Sequence, residues 1–278
     1  MKRRLRKLGK APEYAHEATA VPRYGHGRPS HTGLRDLLAR YDRDYGEALR
    51  TIAAYGAELR TIPPREAAPG EPYWLNQWMP GLDSAAIYAF LRERRSARYV
   101  EIGSGVSTTF AARARRDGDL DLRITAIDPE PRADIAELPD EWIRRPLQDA
   151  DLSLFDGLGP GDVVYLDGSH RAVMNSDVVT FFLDVMPRLA PGVLVGVHDV
   201  FLPDDYLPDW GDWGFSEQYV LAAWLLGGAA GVRPVLASWY ASSQPQLHGL
   251  VDWIWDRPAL SEVERRGWAF WFEAMPRT

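Results

Sequence analysis

Residues 99–109 read Tyr99-Val100-Glu101-Ile102-Gly103-Ser104-Gly105-Val106-Ser107-Thr108-Thr109. A short apolar strand ends here in an acidic residue, turns through two glycines and gives way to a helix. Because glycine has no side chain, such a turn leaves backbone N–H groups open at the mouth of a pocket. The segment therefore predicts a strand–turn–helix unit with room for a ligand, although any tight strand-to-helix turn can use glycine.

A second strand with an acidic end follows in Ile124-Thr125-Ala126-Ile127-Asp128. At that position Asp128 could accept hydrogen bonds from both hydroxyls of a ribose, so the two strands together favour an adenosyl-type ligand. The alternative is that Asp128 caps the turn at residues 129–131. Gln148 and Asp149 lie in a later loop, where they either meet the adenine edge or are ordinary polar loop residues.

The composition limits the class of protein. The chain has 278 residues, 46% hydrophobic and 26% charged, which fits one large α/β domain with an extension. A net charge of −7 argues against a nucleic-acid partner, and the lack of cysteine excludes disulfides and thiolate chemistry. No apolar run reaches the ~18 residues of a membrane span, and the basic start lacks a following apolar stretch. We therefore expect a cytoplasmic protein with no membrane partner.

The first 72 residues are interpreted as a basic tail and a helical extension. Residues 1–33 are rich in proline, glycine, histidine and charge, which is typical of irregular chain. In residues 34–62 apolar side chains recur at helical spacing. This apolar face must pack either on the rest of the chain or on a second copy, which would give a homo-oligomer. A proline-rich linker follows, and we expect the main domain over residues 73–278.

From residue 83 onward helices and strands alternate, with Asp83 as the predicted N-cap of the first helix. The alternation predicts an α/β fold with a doubly wound, mostly parallel sheet and right-handed crossovers. Two strand-like runs with no helix pattern between them predict a C-terminal antiparallel hairpin. The predicted strands cover residues 98–102, 122–127, 142–145, 162–166, 193–197, 234–240 and 250–255, and the predicted helices include 107–115, 173–189 and 217–226.

Together these features resemble the class I S-adenosylmethionine-dependent methyltransferases over about residues 75–257. The first loop of that family has the form acidic-x-Gly-x-Gly, which here runs from Glu101 to Gly105. The third glycine of a dinucleotide fingerprint is missing, which favours S-adenosylmethionine over NAD. The resemblance implies a Rossmann-like, seven-stranded sheet that ends in an antiparallel hairpin. It also implies a cofactor site made of Glu101, Gly103, Ser104, Gly105, Ser107, Asp128, Gln148, Asp149 and Asp167.

The run Asp167-Gly168-Ser169-His170, followed by Pro191-Gly192 and His198-Asp199, resembles the subgroup of sugar and small-molecule O-methyltransferases. The carboxyl ends of predicted strands 4 and 5 should be neighbours, which is where open α/β sheets carry their active sites. We therefore take the catalytic candidates to be Asp167, His170, His198 and Asp199.

Three interpretations of these four residues stay open. The first is a divalent metal, Mg²⁺, Mn²⁺ or Zn²⁺, held by Asp167 and Asp199 with His198. Catechol-type relatives have an Asp-Asn pair where this chain has His198-Asp199, and the imidazole argues against Mg²⁺, which prefers oxygen. The second makes His170 or His198 a general base, since imidazole titrates near neutral pH. The third is structural, with the carboxylates satisfying loop N–H groups.

The long aromatic and acidic loop over residues 201–213 is interpreted as a wall of the acceptor site. Tyr206, Trp210 and Trp213 could stack on a sugar or an aromatic acceptor, and Glu217 could face the same cleft; Trp78, with Trp74 and Asn76, could close the other side. We therefore predict O-methylation of a small-molecule hydroxyl. The alternatives are a non-catalytic cofactor-binding protein and a metal-dependent, hydroxylase-like enzyme on the same fold.

Overall fold

The computed structural model describes residues 20–131 and 135–276, which contain a seven-stranded mixed sheet with helices around it. The predicted basic tail falls mainly on residues 1–19, outside the described residues. The strands are β1 (Arg98–Ile102), β2 (Arg123–Ile127), β3 (Glu141–Ile143), β4 (Val163–Leu166), β5 (Leu194–Val197), β6 (Val232–Ala237) and β7 (Phe270–Ala274).

The strand order across the sheet is β3-β2-β1-β4-β5-β7-β6. Strands β1 to β5 are parallel, and β7 is antiparallel to both of its neighbours, β5 and β6. The order reverses between β1 and β4, and ligands of such sheets bind in the crevice beyond the carboxyl ends at this point. The predicted Rossmann-like, mostly parallel sheet with antiparallel C-terminal strands is confirmed.

The register of the central strands brings their carboxyl ends into line. Ile102 pairs with Ile127 on one side and Leu166 on the other, and Leu166 pairs with Val197. All four residues of β4 are buried, as expected of a parallel strand covered on both faces. The residues that follow these strand ends meet at one edge of the sheet, and they are Gly103, Asp128, Asp167 and His198.

The helices are α1 (Thr32–Leu38), α2 (Asp42–Ala54), α3 (Gly56–Leu59), α4 (Gly81–Arg94), α5 (Val106–Gly118), α6 (Asp177–Thr180), α7 (Glu217–Leu226), α8 (Ser238–Ser243) and α9 (Pro245–His248). Helix α6 continues into a π-helical turn, Phe181–Val185, and a 3₁₀ turn, Met186–Arg188. The predicted helix over 173–189 therefore starts four residues late, after Ser176 as the N-cap. No helix within the described ranges is both long and apolar enough to cross a bilayer.

The apolar face of the N-terminal helices packs within this chain. Helix α2 contacts both α4 and β6, and its buried residues belong to the same hydrophobic core as the sheet. The buried face consists of Leu34, Leu38, Tyr45, Leu49, Ile52 and Leu59. This burial supports the alternative in which the face packs on the rest of the chain; the homo-oligomer and the division of the chain after residue 72 stay predictions.

Two predicted elements were wrong in detail. Asp83 does not cap α4, which begins at Gly81; instead its buried carboxylate accepts hydrogen bonds from the N–H groups of Trp268 and Ala269. The run 250–255 is no strand. It contains a 3₁₀ turn whose Ile254 and Trp255 are buried, so its apolar residues fill the core rather than alternate across a sheet.

The true partner of β6 is β7, which comes later in the chain. Predicted strand 234–240 also ends early, because α8 begins directly after Ala237. Since β7 inserts between β5 and β6, β6 is the edge strand on this side of the sheet, and it carries Pro234 at a register irregularity.

Candidate active site

A cavity of about 700 Å³ opens beyond the carboxyl ends of β1, β2, β4 and β5. Its volume is within the usual range for a site that holds a small molecule. One end is formed by the glycine turn after β1 together with Asp128 and Gln148, and the other end is aromatic. The predicted catalytic residues lie between the two ends.

The two glycines of the turn serve different purposes. Gly103 has φ +83°, and a Cβ atom there would lie 1.9 Å from the carbonyl oxygen of Asp167, so no side chain fits between β1 and β4. A Cβ atom at Gly105 would meet nothing within 4 Å. Gly103 therefore permits close backbone packing, whereas Gly105 keeps the cavity open in front of helix α5.

Glu101 is not among the residues that line the cavity. It is fully buried, and its carboxyl oxygens accept hydrogen bonds from the hydroxyls of Tyr99, Ser107 and Thr108. Burial raises the pKa of Glu101 to about 8, against the opposing effect of the three hydroxyls. Through these contacts Glu101 joins the end of β1 to the start of α5, and its predicted role in cofactor binding stays a prediction. Ser107 lines the cavity.

Asp128 caps the turn that follows β2 and also lines the cavity, and its role in ribose binding stays a prediction. One carboxylate oxygen accepts from the N–H of Glu130 at 2.8 Å, which fixes the following turn. The other accepts from the Ser104 hydroxyl at 2.6 Å, and both Asp128 and Ser104 line the cavity. Since each carboxylate oxygen has further acceptor capacity, the group can still bind a diol.

Gln148 and Asp149 are separated by the structure. Gln148 lines the cavity, and its Oε1 atom is buried with no hydrogen-bond partner among the described residues. A buried acceptor without a partner is costly, so this oxygen suits an amino group of a ligand. Asp149 is exposed and does not line the cavity, so the structure offers it no part in cofactor binding.

The four catalytic candidates form one cluster, in which two histidines flank two carboxylates. His170 Nε2 lies 3.3 Å from Asp167 Oδ1 and 3.4 Å from Asp199 Oδ2. His198 Nδ1 lies 3.4 Å from an oxygen of each of the same two carboxylates. His170 and Asp199 both have positive φ angles, 57° and 55°, so the loops after β4 and β5 bend sharply to bring these side chains together.

Two further carboxylates hold the outer sides of the histidines. Glu217, at the start of α7, is fully buried and is hydrogen-bonded to His170 Nδ1. Asp83, in the first turn of α4, has Oδ2 3.6 Å from His198 Nε2. Glu217 therefore contacts a catalytic candidate rather than the acceptor space in which it was predicted to act.

The arrangement sets the protonation of the cluster. Burial opposes charge on both histidines, but Glu217 beside His170, and Asp199 and Asp167 beside His198, raise both histidine pKa values well above the usual range. Burial likewise opposes ionisation of Asp167, yet His198 and His170 hold its pKa below the usual range. Burial raises the pKa of Asp199, and it raises that of Glu217 to about 7.

A set of metal-ligand atoms also occurs here. One atom each from Asp167, His170 and Asp199 lies within 4.8 Å of the others. The predicted set contained His198 instead, whose second nitrogen faces Asp83. Because Glu217 engages Nδ1 of His170, Nε2 of that ring faces the two carboxylates, as metal-binding histidines commonly do. Two oxygens and one nitrogen fit Mn²⁺ or Zn²⁺ better than Mg²⁺.

The aromatic end of the cavity is lined by Trp78, Trp210, Trp213, Phe215 and Trp268. Trp210 and Trp213 stack with ring centroids 4.6 Å apart, and Phe215 lies 4.5 Å from the His170 ring. Tyr206 was expected here, but it is buried behind the wall, where its hydroxyl accepts from the N–H of Gln218.

Of the three residues predicted to close the other side of the cleft, only Trp78 lines the cavity. Trp74 is buried in the core, and Asn76 accepts from the N–H groups of Trp78 and Met79, which shapes the turn. Phe215 and Trp268 were missed; Phe215 closely follows the predicted loop, whereas nothing in the local sequence sets Trp268 apart from the other tryptophans.

Residues 100–200 match the sequence model of a family described as a methyltransferase domain. No curated protein sequence matches the chain significantly. Similar solved structures include the Podospora anserina methyltransferase PaMTH1 bound to SAH, 16% identical over 81% of this chain and 88% of that one, with a TM-score of 0.43. Another is the O-methyltransferase from Bacillus cereus in complex with SAH, 15% identical over 83% of this chain and 91% of that one, with a TM-score of 0.39.

The strand order is that of a Rossmann-like fold, and residues 100–200, which include the glycine turn after β1, match the methyltransferase-domain model. This match agrees with the resemblance to class I S-adenosylmethionine-dependent methyltransferases that the sequence predicted.

Proposed function

We propose that this protein transfers the methyl group of S-adenosylmethionine to a hydroxyl oxygen of a small molecule. The observation that carries the proposal is the position of the carboxylate–histidine cluster between the two ends of one cavity. Gly103, Gly105, Asp128 and Gln148 lie at the end that suits the cofactor, and the aromatic residues lie at the other. A methyl donor and a hydroxyl bound at these two ends would meet beside Asp167 and Asp199.

The reaction is an in-line displacement. The acceptor oxygen forms a bond to the methyl carbon while the bond from that carbon to sulfur breaks, which leaves S-adenosylhomocysteine. The cavity contributes by holding the two reactants together away from bulk water. With no cation bound, Asp199 would accept the hydroxyl proton, because burial raises its pKa, whereas both histidines favour their protonated forms beside the carboxylates.

We further propose that Asp167, His170 and Asp199 hold a divalent cation, with Glu217 fixing the orientation of the His170 ring. Such a cation would act as a Lewis acid and lower the pKa of the acceptor hydroxyl. His198 then serves to orient the two carboxylates, since it contacts both and is itself held by Asp83.

The aromatic end suits an acceptor with a flat face, either an aromatic ring or the apolar face of a sugar, since both stack on indole rings. We keep a small-molecule acceptor, a cytoplasmic location and the lack of a nucleic-acid partner as predictions from the sequence.

The first test is calorimetric titration of the metal-stripped protein with S-adenosylmethionine, repeated with Mg²⁺, Mn²⁺ and Zn²⁺. Micromolar cofactor binding, and a separate metal-binding event that is lost in Asp167→Ala and Asp199→Ala, would support both parts of the proposal. If cofactor fails to bind under every condition, the methyl-transfer proposal is wrong.

A screen of phenols, catechols and sugars with S-adenosylmethionine then identifies the acceptor by release of S-adenosylhomocysteine. Asp167→Asn should abolish turnover while cofactor still binds. Cofactor binding without turnover on any compound would favour the non-catalytic alternative, and a requirement for iron and oxygen would favour the hydroxylase-like one.

A further inference from the structure

Residues 20–31 form a segment without helix or strand, with a turn around residues 25–28, that runs along residues 201–216; we call these two segments the strap and the acceptor loop. The two meet at Asp205. Its carboxylate accepts from the N–H groups of Arg23 at 2.5 Å and Tyr24 at 2.8 Å, and its own N–H donates to the Tyr24 carbonyl at 3.1 Å. The His26 Nε2 atom lies 2.9 Å from the Asp205 carbonyl oxygen. One buried residue thus makes four hydrogen bonds to the strap.

The rest of the interface between the strap and the acceptor loop is tightly packed. Gly25 has φ +71°, and a Cβ atom there would lie 2.3 Å from Cγ of Asp204. A Cβ atom at Gly211 would lie 2.4 Å from the carbonyl oxygen of Ala20. The N–H of His31 also donates to the Pro203 carbonyl at 3.1 Å. The strap therefore contacts the acceptor loop near its start, in its middle and near its aromatic residues.

The opposite side of the acceptor loop faces the cavity. Trp210, Trp213 and Phe215 line it, and Phe215 packs on the ring of His170. Tyr206, directly after Asp205, is buried between the two sides, with its ring 5.9 Å from that of Phe215. A short series of packed side chains thus joins the strap to the aromatic wall and the catalytic cluster.

Other elements hold the ends of the acceptor loop. The Gln218 side chain accepts from the N–H of Phe201 and donates to the Asp204 carbonyl, and the N–H of Ser216 donates to the His170 carbonyl at 2.7 Å. Around Asp205 the loop is held by the strap and by the Tyr219 hydroxyl, which donates to Asp205 Oδ1 at 3.0 Å. The Arg171 side chain donates to the Trp213 carbonyl at 3.0 Å, and Trp210 packs on Trp268. Asp205 carries the side-chain hydrogen bonds by which the strap adds to these contacts.

We propose that the strap is part of the acceptor site, and that Asp205 is a positioning residue that fixes Trp210, Trp213 and Phe215 against the acceptor. The inference rests on the proposed function, because it concerns binding of the molecule to be methylated. Asp205 contacts neither the cofactor end of the cavity nor the catalytic cluster, so its loss should weaken acceptor binding selectively.

The experiment compares Asp205→Ala with Asp209→Ala in the full-length protein. Asp209 lies on the same loop, is exposed, and has no hydrogen bond or ion pair with another described residue, so its removal controls for the loss of one negative charge. Tyr219→Phe removes the contact of Asp205 with α7 and leaves the strap contacts in place. Asp205→Asn keeps one carbonyl oxygen and serves if the alanine variant does not fold.

Three readouts are needed: the dissociation constant for S-adenosylhomocysteine, hydrogen exchange of peptides from residues 201–216, and steady-state kinetics with an acceptor found in the screen. In Asp205→Ala we expect the acceptor KM to rise at least tenfold, kcat to change less than threefold and the cofactor dissociation constant to change less than twofold. Exchange in the loop should accelerate. Asp205→Asn should show the same pattern to a smaller degree, and Tyr219→Phe and Asp209→Ala should match the wild type.

The proposal is overturned if Asp205→Ala has the KM and exchange rates of Asp209→Ala. It is also overturned if cofactor affinity falls as much as acceptor affinity, because the residue would then support the fold in general. Failure of the proposed function is seen separately, in a wild-type protein that does not bind cofactor or releases no S-adenosylhomocysteine.

Discussion

The Nε2 atom of His198 lies 3.6 Å from Oδ2 of Asp83, and both side chains are almost completely buried. The same Asp83 carboxylate accepts from the N–H groups of Trp268 and Ala269, just before β7. The Asp83 side chain therefore connects α4, the end of β5 and the residues that lead into the antiparallel strand β7. A charge buried this deeply is tolerated only when it is paired and hydrogen-bonded, and Asp83 meets both conditions.

Asp83→Asn should lower the free energy of unfolding by about 3 kcal/mol, because the amide leaves one backbone N–H without an acceptor and removes the partner of His198. Burial lowers the pKa of His198, but Asp199 and Asp167, with a smaller contribution from Asp83, raise it well above the usual range, so the stabilisation is full below the unfolded histidine pKa and is lost as pH rises through the folded one. Asp83→Asn should therefore lower the free energy of unfolding more at pH 6 than at high pH. Urea unfolding at several pH values measures it.

The exposed Asp121→Asn is the control and should change stability by less than about 0.5 kcal/mol. Equal unfolding free energies for Asp83→Asn and Asp121→Asn at pH 6 would contradict the pairing.

The two turn glycines allow a matched pair of variants. Gly103→Ala places a methyl group 1.9 Å from the Asp167 carbonyl oxygen at a positive φ, so we expect the protein to lose more than about 3 kcal/mol of stability or fail to fold. Gly105→Ala meets open space, so its melting temperature should stay within a few degrees while its affinity for S-adenosylhomocysteine falls at least tenfold. Calorimetric melting and titration decide this, and equal behaviour of the two variants would refute the division of roles.

Much of the sheet follows from local sequence, because parallel strands buried on both faces are short apolar runs with recognisable ends. Strand β1 was predicted to the residue, and the acidic ends at Glu101 and Asp128 pointed to the correct edge of the sheet. Strand β7 was missed because the run 250–255 has a similar apolar content. Only tertiary packing distinguishes a turn whose side chains fill the core from a strand that pairs in the sheet. The pairing of β7 between β5 and β6 is a long-range choice that no local pattern encodes.

In the candidate site, too, contacts that depend on tertiary packing could not be predicted from local sequence. Asp167, His170, His198 and Asp199 could be found because they follow strand ends, and the structure brings them together. Asp83 and Glu217 were assigned other roles, since each lies in the first turn of a helix and meets its histidine only through tertiary packing. The strap was predicted to be irregular chain and contains no helix or strand, but its close fit to the acceptor loop, which Gly25 permits, was not foreseen.

Glu101 should make stability depend on pH. Its pKa is raised by burial to about 8, so between the ordinary glutamate pKa near 4.5 and pH 8 the folded state holds a proton that the unfolded state releases. Stability is therefore lost as pH rises through this range. Glu101→Gln removes the titration, and its stability relative to the wild type should increase by roughly 1 kcal/mol per pH unit between pH 5 and 8. Urea unfolding at several pH values measures this difference. If the stabilities of the variant and the wild type change in parallel with pH, Glu101 stays ionised in the folded protein.

Asp128 tests the end of the cavity that is proposed to bind the cofactor. Asp128→Asn should raise the dissociation constant for S-adenosylhomocysteine at least tenfold, because the amide replaces one acceptor oxygen with a donor where a ribose hydroxyl would donate. The fold should survive, since the remaining oxygen can still accept from the N–H of Glu130 or the Ser104 hydroxyl. Asp149→Asn makes the same change at an exposed residue outside the cavity and should leave the dissociation constant unchanged. If calorimetry gives equal affinities for the two variants, Asp128 serves the turn alone and the ribose must be held by other residues.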